Sequence, residues 1–267
     1  MQSQERRNAE NLAEMVSVSA RSLQRFLTEA RWDHGAVIGQ LQAYLGPRLL
    51  DPWGVWVVDG SDFPKQGRKS VGVARQYCGR LGKVAHCQAG VFLAYVGPRG
   101  RALVDQRLYL PESWTADPAR CAAAGVPEDR LKYRAKTDLA LEMLRAARQQ
   151  GHLEAAWVAG DDAFGMSPAF RDGLAAEGMR YVLDVPATTP VWPREPTWTR
   201  QPDRGRGRPP KLQPQSEERQ TVEARSLALP NEAWRPVTVA EGAQGPRTYW
   251  YSAERVRETR TGGPATS

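Results

Sequence analysis

The chain has 267 residues, 41% of them hydrophobic, with 37 Lys and Arg against 30 Asp and Glu. That length suits one large or two smaller domains, and the net charge of +7 points to an anionic partner, nucleic acid first among them. Three cysteines (Cys78, Cys87, Cys121) leave one unpaired in any disulfide scheme, which fits a reduced, cytoplasmic interior. No apolar run approaches the ~20 residues of a membrane span, and the polar, charged N-terminus is not a secretory signal.

Residues 5–29 carry Leu12, Met15, Val16, Ser19, Leu23, Phe26 and Leu27 at helical spacing, with one apolar face. Residues 34–45 repeat the pattern with Val37, Ile38, Leu41 and Leu45, and Gly46-Pro47 is expected to end that helix. From Trp53 the period changes. The run V-W-V-V-D predicts a buried first strand over 53–59, broken by Gly60-Ser61. A glycine-punctuated basic stretch, Lys65 to Lys83, follows. Strands are predicted over 84–95 and 101–110, joined by a hairpin at Val96–Gly100. A Pro- and Ala-rich loop leads to a helix over 136–150, closed by Gly151. A fourth strand over 155–160 ends in A-G-D-D-A-F-G. Ser167 is the expected N-cap of a helix running from Pro168 to about Glu177, and a fifth strand covers Tyr181–Val185.

The predicted order is β-β-β-α-β-α-β behind an N-terminal helical layer, with Asp59 after strand one and Asp161 after strand four. An antiparallel meander that continues into parallel α/β units makes those strand tips neighbours, which is the ribonuclease-H-like mixed α/β sheet. Two carboxylates at adjacent tips make a divalent-metal site. The competing readings are structural: Asp59 as a cap on the Gly60-Ser61 turn, Asp161 as a turn or N-cap acid before Ala163, and Asp62 as a turn residue. His86 beside Cys87 lacks further ligands for zinc and reads as a strand pair. Trp114 and Tyr109 read as core aromatics or as base-stacking groups. Lys65, Arg68, Lys69, Arg75, Arg80 and Lys83 follow the first acid closely and read as a positive rim for a DNA backbone, against the alternative of a solvated loop.

Residues 187–216 combine seven prolines with many arginines, a composition that cannot bury enough apolar surface to fold alone. Within it, Arg206-Gly207-Arg208-Pro209 matches the R-G-R-P core of minor-groove hooks, and Arg206, Arg208 and Lys211 are expected to touch phosphates. Strand-like material returns around Val237–Val239 and Tyr249–Tyr251. The organisation expected is therefore 1–50 helical, 51–186 sheet core, 187–216 basic linker and 217–267 a partial C-terminal segment.

Several stretches together resemble the DDE-superfamily endonuclease domain of bacterial insertion-sequence transposases, the 701-type group. They are V-V-D-G-S-D-F-P-K-Q-G (57–67), S-V-G-V-A-R-Q-Y-C-G-R-L-G-K (70–83), R-L-Y-L-P-E-S-W (107–114) and A-G-D-D-A-F-G (159–165). A-G-V-P (124–127) and E-G-A-Q-G-P-R (241–247) fit the same family. The resemblance implies a catalytic Asp-Asp-Glu triad holding Mg2+, with Mn2+ as the alternative ion. Its first two acids fall on Asp59 and Asp161, with Asp162 as the neighbouring alternative to the second. It also implies cleavage and strand transfer of insertion-sequence DNA in the bacterial cytoplasm, at the nucleoid, and it allows a homodimer. The family's third acid lies on a helix after strand five, in a stretch with Trp, Arg, Glu and a downstream Lys. Glu254 and Glu258 sit beside Arg255 and Arg257 without that pattern. The expectation is thus a C-terminally shortened copy, with the last part of the fold missing. It is either an active nuclease or a non-catalytic DNA-binding remnant; a hydrolase of small phosphate esters is the third class, disfavoured by the basic rim.

Overall fold

The computed structural model describes residues 8–30, 32–194, 196–200, 212–214, 219–242 and 245–258. The chain divides into two compact units, Met1–Gly160 with Ala169–Val182, and Asp161–Pro168 with Leu183–Ser267.

The larger unit opens with three helices, α1 (Ala9–Met15), α2 (Ala20–Thr28) and α3 (His34–Leu49). Each is started by a side chain that accepts from the first turn: Asn8, Ser19 and Asp33. The single helix expected over 5–29 is in fact two, separated around Ser17, whose φ of 55° no continuous helix accepts. Helix α3 runs past Gly46-Pro47 to Leu49. Proline there costs only one late hydrogen bond, and the last turn docks instead on the hairpin that follows: Arg99 donates to the carbonyls of Leu50 and Pro47 at 3.1 Å each.

The sheet consists of β1 (Val55–Pro64), β2 (Ala74–Cys78), β3 (Lys83–Gly97), β4 (Gly100–Leu108), and, after helices α4 (Glu112–Thr115), α5 (Pro118–Ala123) and α6 (Lys136–Gln150), β5 (Trp157–Gly160). In the spatial order β2-β3-β1-β5-β6, β6 is Tyr181–Leu183, and β4 pairs with β3. Strand β1 is antiparallel to β3 and parallel to β5. Setting β2 aside, the core runs β4-β3-β1-β5-β6, the mixed α/β, ribonuclease-H-like topology expected from the element order.

Two features of the sheet differ from the sequence reading. First, β1 does not stop at Asp59. Its pairing with β3 continues from Asp59↔Phe92 through Gly60↔Val91 and Ser61↔Gly90 to Pro64↔Cys87. Glycine and serine are poor strand formers in isolation, but a long partner strand supplies the ladder that holds them. Second, the basic stretch after β1 contains a strand, β2, paired with the start of β3 from Ala74↔Cys87 to Cys78↔Lys83. A-R-Q-Y-C is too polar to announce itself, because only Cys78 is fully buried.

Helix α6 forms where its spacing predicts. The Asp138 carboxylate accepts from the Ala135 amide at 3.1 Å, and Gly151 closes the helix at φ 68°. Leu139, Ala140, Met143, Leu144 and Ala147 are all buried. Helix α8 (Pro168–Ala176) meets α6 through Gly173, where a Cβ would lie 2.6 Å from Leu141 Cδ1. Trp114 is a core aromatic; its Nε1–H donates to the Val73 carbonyl at 2.9 Å.

In the smaller unit, α7 (Asp162–Gly165) precedes β7 (Pro190–Trp192), β8 (Trp198–Arg200), β9 (Leu212–Pro214), β10 (Gln220–Thr221), α9 (Val222–Leu227), β11 (Arg235–Gly242), β12 (Gly245–Tyr251) and β13 (Arg257–Glu258). The proline-rich stretch does gain structure in company. Strand β7 buries Val191 and Trp192 between β10 and β13, and β8 pairs with β9. Strands β11 and β12 form the hairpin anticipated around Val237–Val239 and Tyr249–Tyr251.

Candidate functional site

Asp59 sits within β1, not at its tip, yet it occupies a distinctive position. On one side the parallel partner β5 ends, with Val58 paired to Gly160; on the other the ladder to β3 continues. Trp56 and Val58 are buried, and Asp59 is the first exposed side chain after them. No hydrogen bond or ion pair engages its carboxylate among the described residues. Asp161 directly follows Gly160. Its side chain caps α7, with Oδ1 accepting from the Ala163 amide at 3.1 Å, so the N-cap reading of this acid is realised. Asp162 is the first residue of α7.

Asp62 is not the turn residue its sequence context suggested. It lies in β1, where Oδ2 accepts from the Gly79 amide at 2.8 Å and Oδ1 stands 3.8 Å from Lys136 Nζ. It therefore ties the outer part of β1 to the 3-10 turn Gly79–Leu81 and to α6. Lys136 also stands 5.5 Å over the Tyr109 ring. Burial, and then the neighbouring Tyr133 hydroxyl, push the Tyr109 phenol up.

The expected DNA-contacting cations gather around this extension. Lys65, Arg68 and Lys69 follow β1, Arg75 is in β2, Arg80 is in the turn and Lys83 opens β3. All six side chains are exposed, and none makes an ion pair among the described residues. Arg206, Arg208 and Lys211 lie outside the described residues. Among the described residues no group of three or more His, Cys, Asp or Glu side chains is placed to hold a metal ion. Glu254 is held by Arg225 through Nε at 2.7 Å and a second, shorter contact, and that hydrogen bonding keeps its carboxyl below the usual range.

Two features escaped sequence reasoning. Glu142 on α6 gathers three guanidiniums, from Arg107 (3.4 Å), Arg130 (2.8 Å) and Arg134. Arg107 also contacts the buried Asp105. Burial works against ionisation of Glu142, but the Arg130 hydrogen bond and the charges of all three arginines outweigh it, so the carboxyl is held below its ordinary value. Beside this cluster lies a cavity of about 900 Å3, floored in part by Phe63, Phe92 and Leu108. Neither has a contiguous motif, since each joins β4, the loop before α6 and another element far away in sequence.

The sheet is ribonuclease-H-like and carries an exposed acid where its central parallel pair ends. The chain belongs to the DDE superfamily endonucleases, whose family model matches residues 1–246. No curated protein sequence matches it significantly. Among solved structures it is similar to the Drosophila P element transposase strand transfer complex, with 14% identity and a TM-score of 0.30 over 64% of this chain and 32% of that one. It is also similar to the Mos1 transposase paired-end complex with left transposon end, with 14% identity and a TM-score of 0.25 over 67% of this chain and 54% of that one. The chain thus spans about a third and about half of these two proteins. No described helix is long and apolar enough to cross a membrane.

Proposed function

We propose that this chain is a transposase-type nuclease in which Asp59 and Asp161 together hold a divalent cation and a DNA strand is cut beside them. The observation that carries the reading is the Val58↔Gly160 register of the parallel pair. Each acid directly follows one residue of that pair in the chain, Asp59 after Val58 and Asp161 after Gly160. The donor chemistry fits. Both ligands are hard carboxylate oxygens of the kind Mg2+ and Mn2+ take, and the Asp59 carboxylate is exposed with no described protein group competing for it. When bound, such an ion supplies charge neutralisation at the scissile phosphate and eases ionisation of a water.

The residues of the chain do the rest. Asp59 and Asp161 fix where the phosphate is presented. The six exposed cations on the β1–β2–β3 extension supply the sequence-independent attraction that keeps a DNA backbone in register with them. Insertion-sequence ends as the natural substrate, strand transfer after cleavage, a bacterial host and cell interior, and a homodimeric assembly are carried by the family likeness and belong to the same proposal.

The test is incubation of the purified chain with supercoiled plasmid in Mg2+ or Mn2+. Nicking that disappears in Asp59→Asn and in Asp161→Asn, with plasmid affinity retained, is the expected result. Nicking that survives both substitutions refutes the assignment. A second reading, a non-catalytic DNA-binding remnant, rests on the six exposed cations alone, which need no acid beside them to hold a DNA backbone. Its signature is salt-sensitive binding without nicking in either metal.

A further inference from the structure

The register of the central strands puts more than an acid on one face of the sheet. Residues directly opposite each other across a ladder share a face. Asp59 pairs with Phe92, which pairs with Gln106; Ser61 pairs with Gly90, which pairs with Leu108; Phe63 pairs with Gln88. Asp59 therefore heads a row that runs directly into the 900 Å3 cavity, since Phe92, Gln106, Gly90, Leu108, Phe63 and Gln88 all line it. The volume falls within the range of about 300–1,000 Å3 that small-molecule sites occupy.

The lining is not that of a groove for duplex backbone. Phe63 is 41% exposed and Leu108 42%, although both are apolar. Phe63 and Phe92 meet edge to face with ring centres 6.2 Å apart, leaving ring surface toward the cavity. Gly90 provides the depth: a Cβ there would stand 3.0 Å from Phe92 Cε2. The Gln106 side chain is exposed and makes no hydrogen bond among the described residues, so its amide can both donate and accept. Of the four cations that line the cavity, Arg107, Arg130 and Arg134 are held by Glu142, whereas Lys132 is exposed and without an ion pair among the described residues. An apolar, aromatic floor, an amide able to read a heterocycle's edge and a cation without an ion pair among the described residues together match a nucleotide: base inward, phosphate at Lys132.

Resting on the nuclease reading above, we propose that this cavity receives one unpaired nucleotide of the DNA strand, its base on Phe63 and Phe92, adjacent to the phosphate presented at Asp59. A base held there fixes the strand at the acid independently of the cationic rim, which fixes only the backbone.

The experiment uses the full chain in metal-free buffer with a short duplex carrying one bulged 2-aminopurine, and the same duplex fully paired. The wild-type chain is expected to bind the bulged duplex about fivefold or more tightly than the paired one, and to shield its 2-aminopurine from acrylamide quenching. Phe63→Ala, Gly90→Val and Gln106→Ala are expected to lose that preference and shielding while keeping wild-type affinity for the paired duplex. Gln106→Ala alters an exposed side chain, so its result does not depend on the fold tolerating the change. Equal affinity for the two duplexes, or shielding that persists in all three variants, overturns the proposal. The two readings fail separately. A chain that nicks plasmid but does not distinguish the duplexes has lost only the base pocket; one that shields the bulged base but nicks nothing has lost only the nuclease assignment.

Discussion

Replacing Glu142 by Gln removes the charge at the centre of three guanidiniums while keeping the shape of the side chain. The Glu142 carboxylate receives Arg130 at 2.8 Å, Arg107 at 3.4 Å and a closer contact from Arg134, with its own side chain 29% exposed. Fully exposed pairs contribute about 0.2–1 kcal/mol each, and charge-assisted bonds shielded from water about 1.5–3 kcal/mol. The neutral amide keeps one acceptor oxygen, so only part of each interaction disappears, but three arginines are left with less to offset their mutual repulsion. A net destabilisation of about 1–2 kcal/mol follows, which for a unit of this size lowers Tm by about 2–8 °C. The pH dependence has a definite sign. The folded carboxyl titrates below its unfolded value, so its stabilisation is fully present above the ordinary carboxylate range and is lost as pH falls through the depressed folded pKa. Thermal denaturation followed by circular dichroism at pH 7 and again below pH 4 checks both points. The gap between wild type and Glu142→Gln should be open at pH 7 and narrow in acid. A variant as stable as wild type at pH 7, or a gap that widens on acidification, refutes the reasoning.

The remaining predictions concern the scaffold and the rim. Asp62→Ala leaves the Gly79 amide and Lys136 without their carboxylate and should cost about 1–3 kcal/mol in urea unfolding; a midpoint unchanged from wild type counts against this tie between β1, the turn and α6. Gly173→Val drives a branched side chain into Leu141 and should destabilise by about 1–3 kcal/mol, whereas Gly178→Ala, which meets no neighbouring atom but sits at φ 66°, should act only through backbone strain; denaturant midpoints of the two variants separate the causes. The Cys87 thiol is pushed up to about 11, first by burial and then by Cys78 and Asp62, so at pH 8 it should resist an aromatic disulfide reagent until denaturant is added. Changing Arg80 and Lys83 to Gln should reduce the slope of log affinity for duplex DNA against log salt by about 0.9 for each phosphate no longer neutralised; an unchanged slope removes these two residues from the rim.

Local signals in the amino-acid sequence were enough for helix α6, because its apolar spacing and the closing Gly151 act over a turn or two of chain. They were also enough for the hairpin between β3 and β4, where glycine and proline set the turn within five residues. The positions of Asp59 and Asp161 after apolar strand-forming runs were visible for the same reason. Tertiary structure decided what no local pattern contains. Gly60 and Ser61 stay in β1 because β3 is long enough to pair with them, and the polar stretch Ala74–Cys78 becomes a strand because the same partner extends to meet it. The pairing of Val58 with Gly160, the gathering of Arg107, Arg130 and Arg134 on Glu142, and the cavity beside Phe92 each join residues brought together only when the ladders form. Hydrogen-bond pairing and burial between distant segments are set by the whole sheet, so the residue types alone specify which groups are available and the fold selects which of them meet.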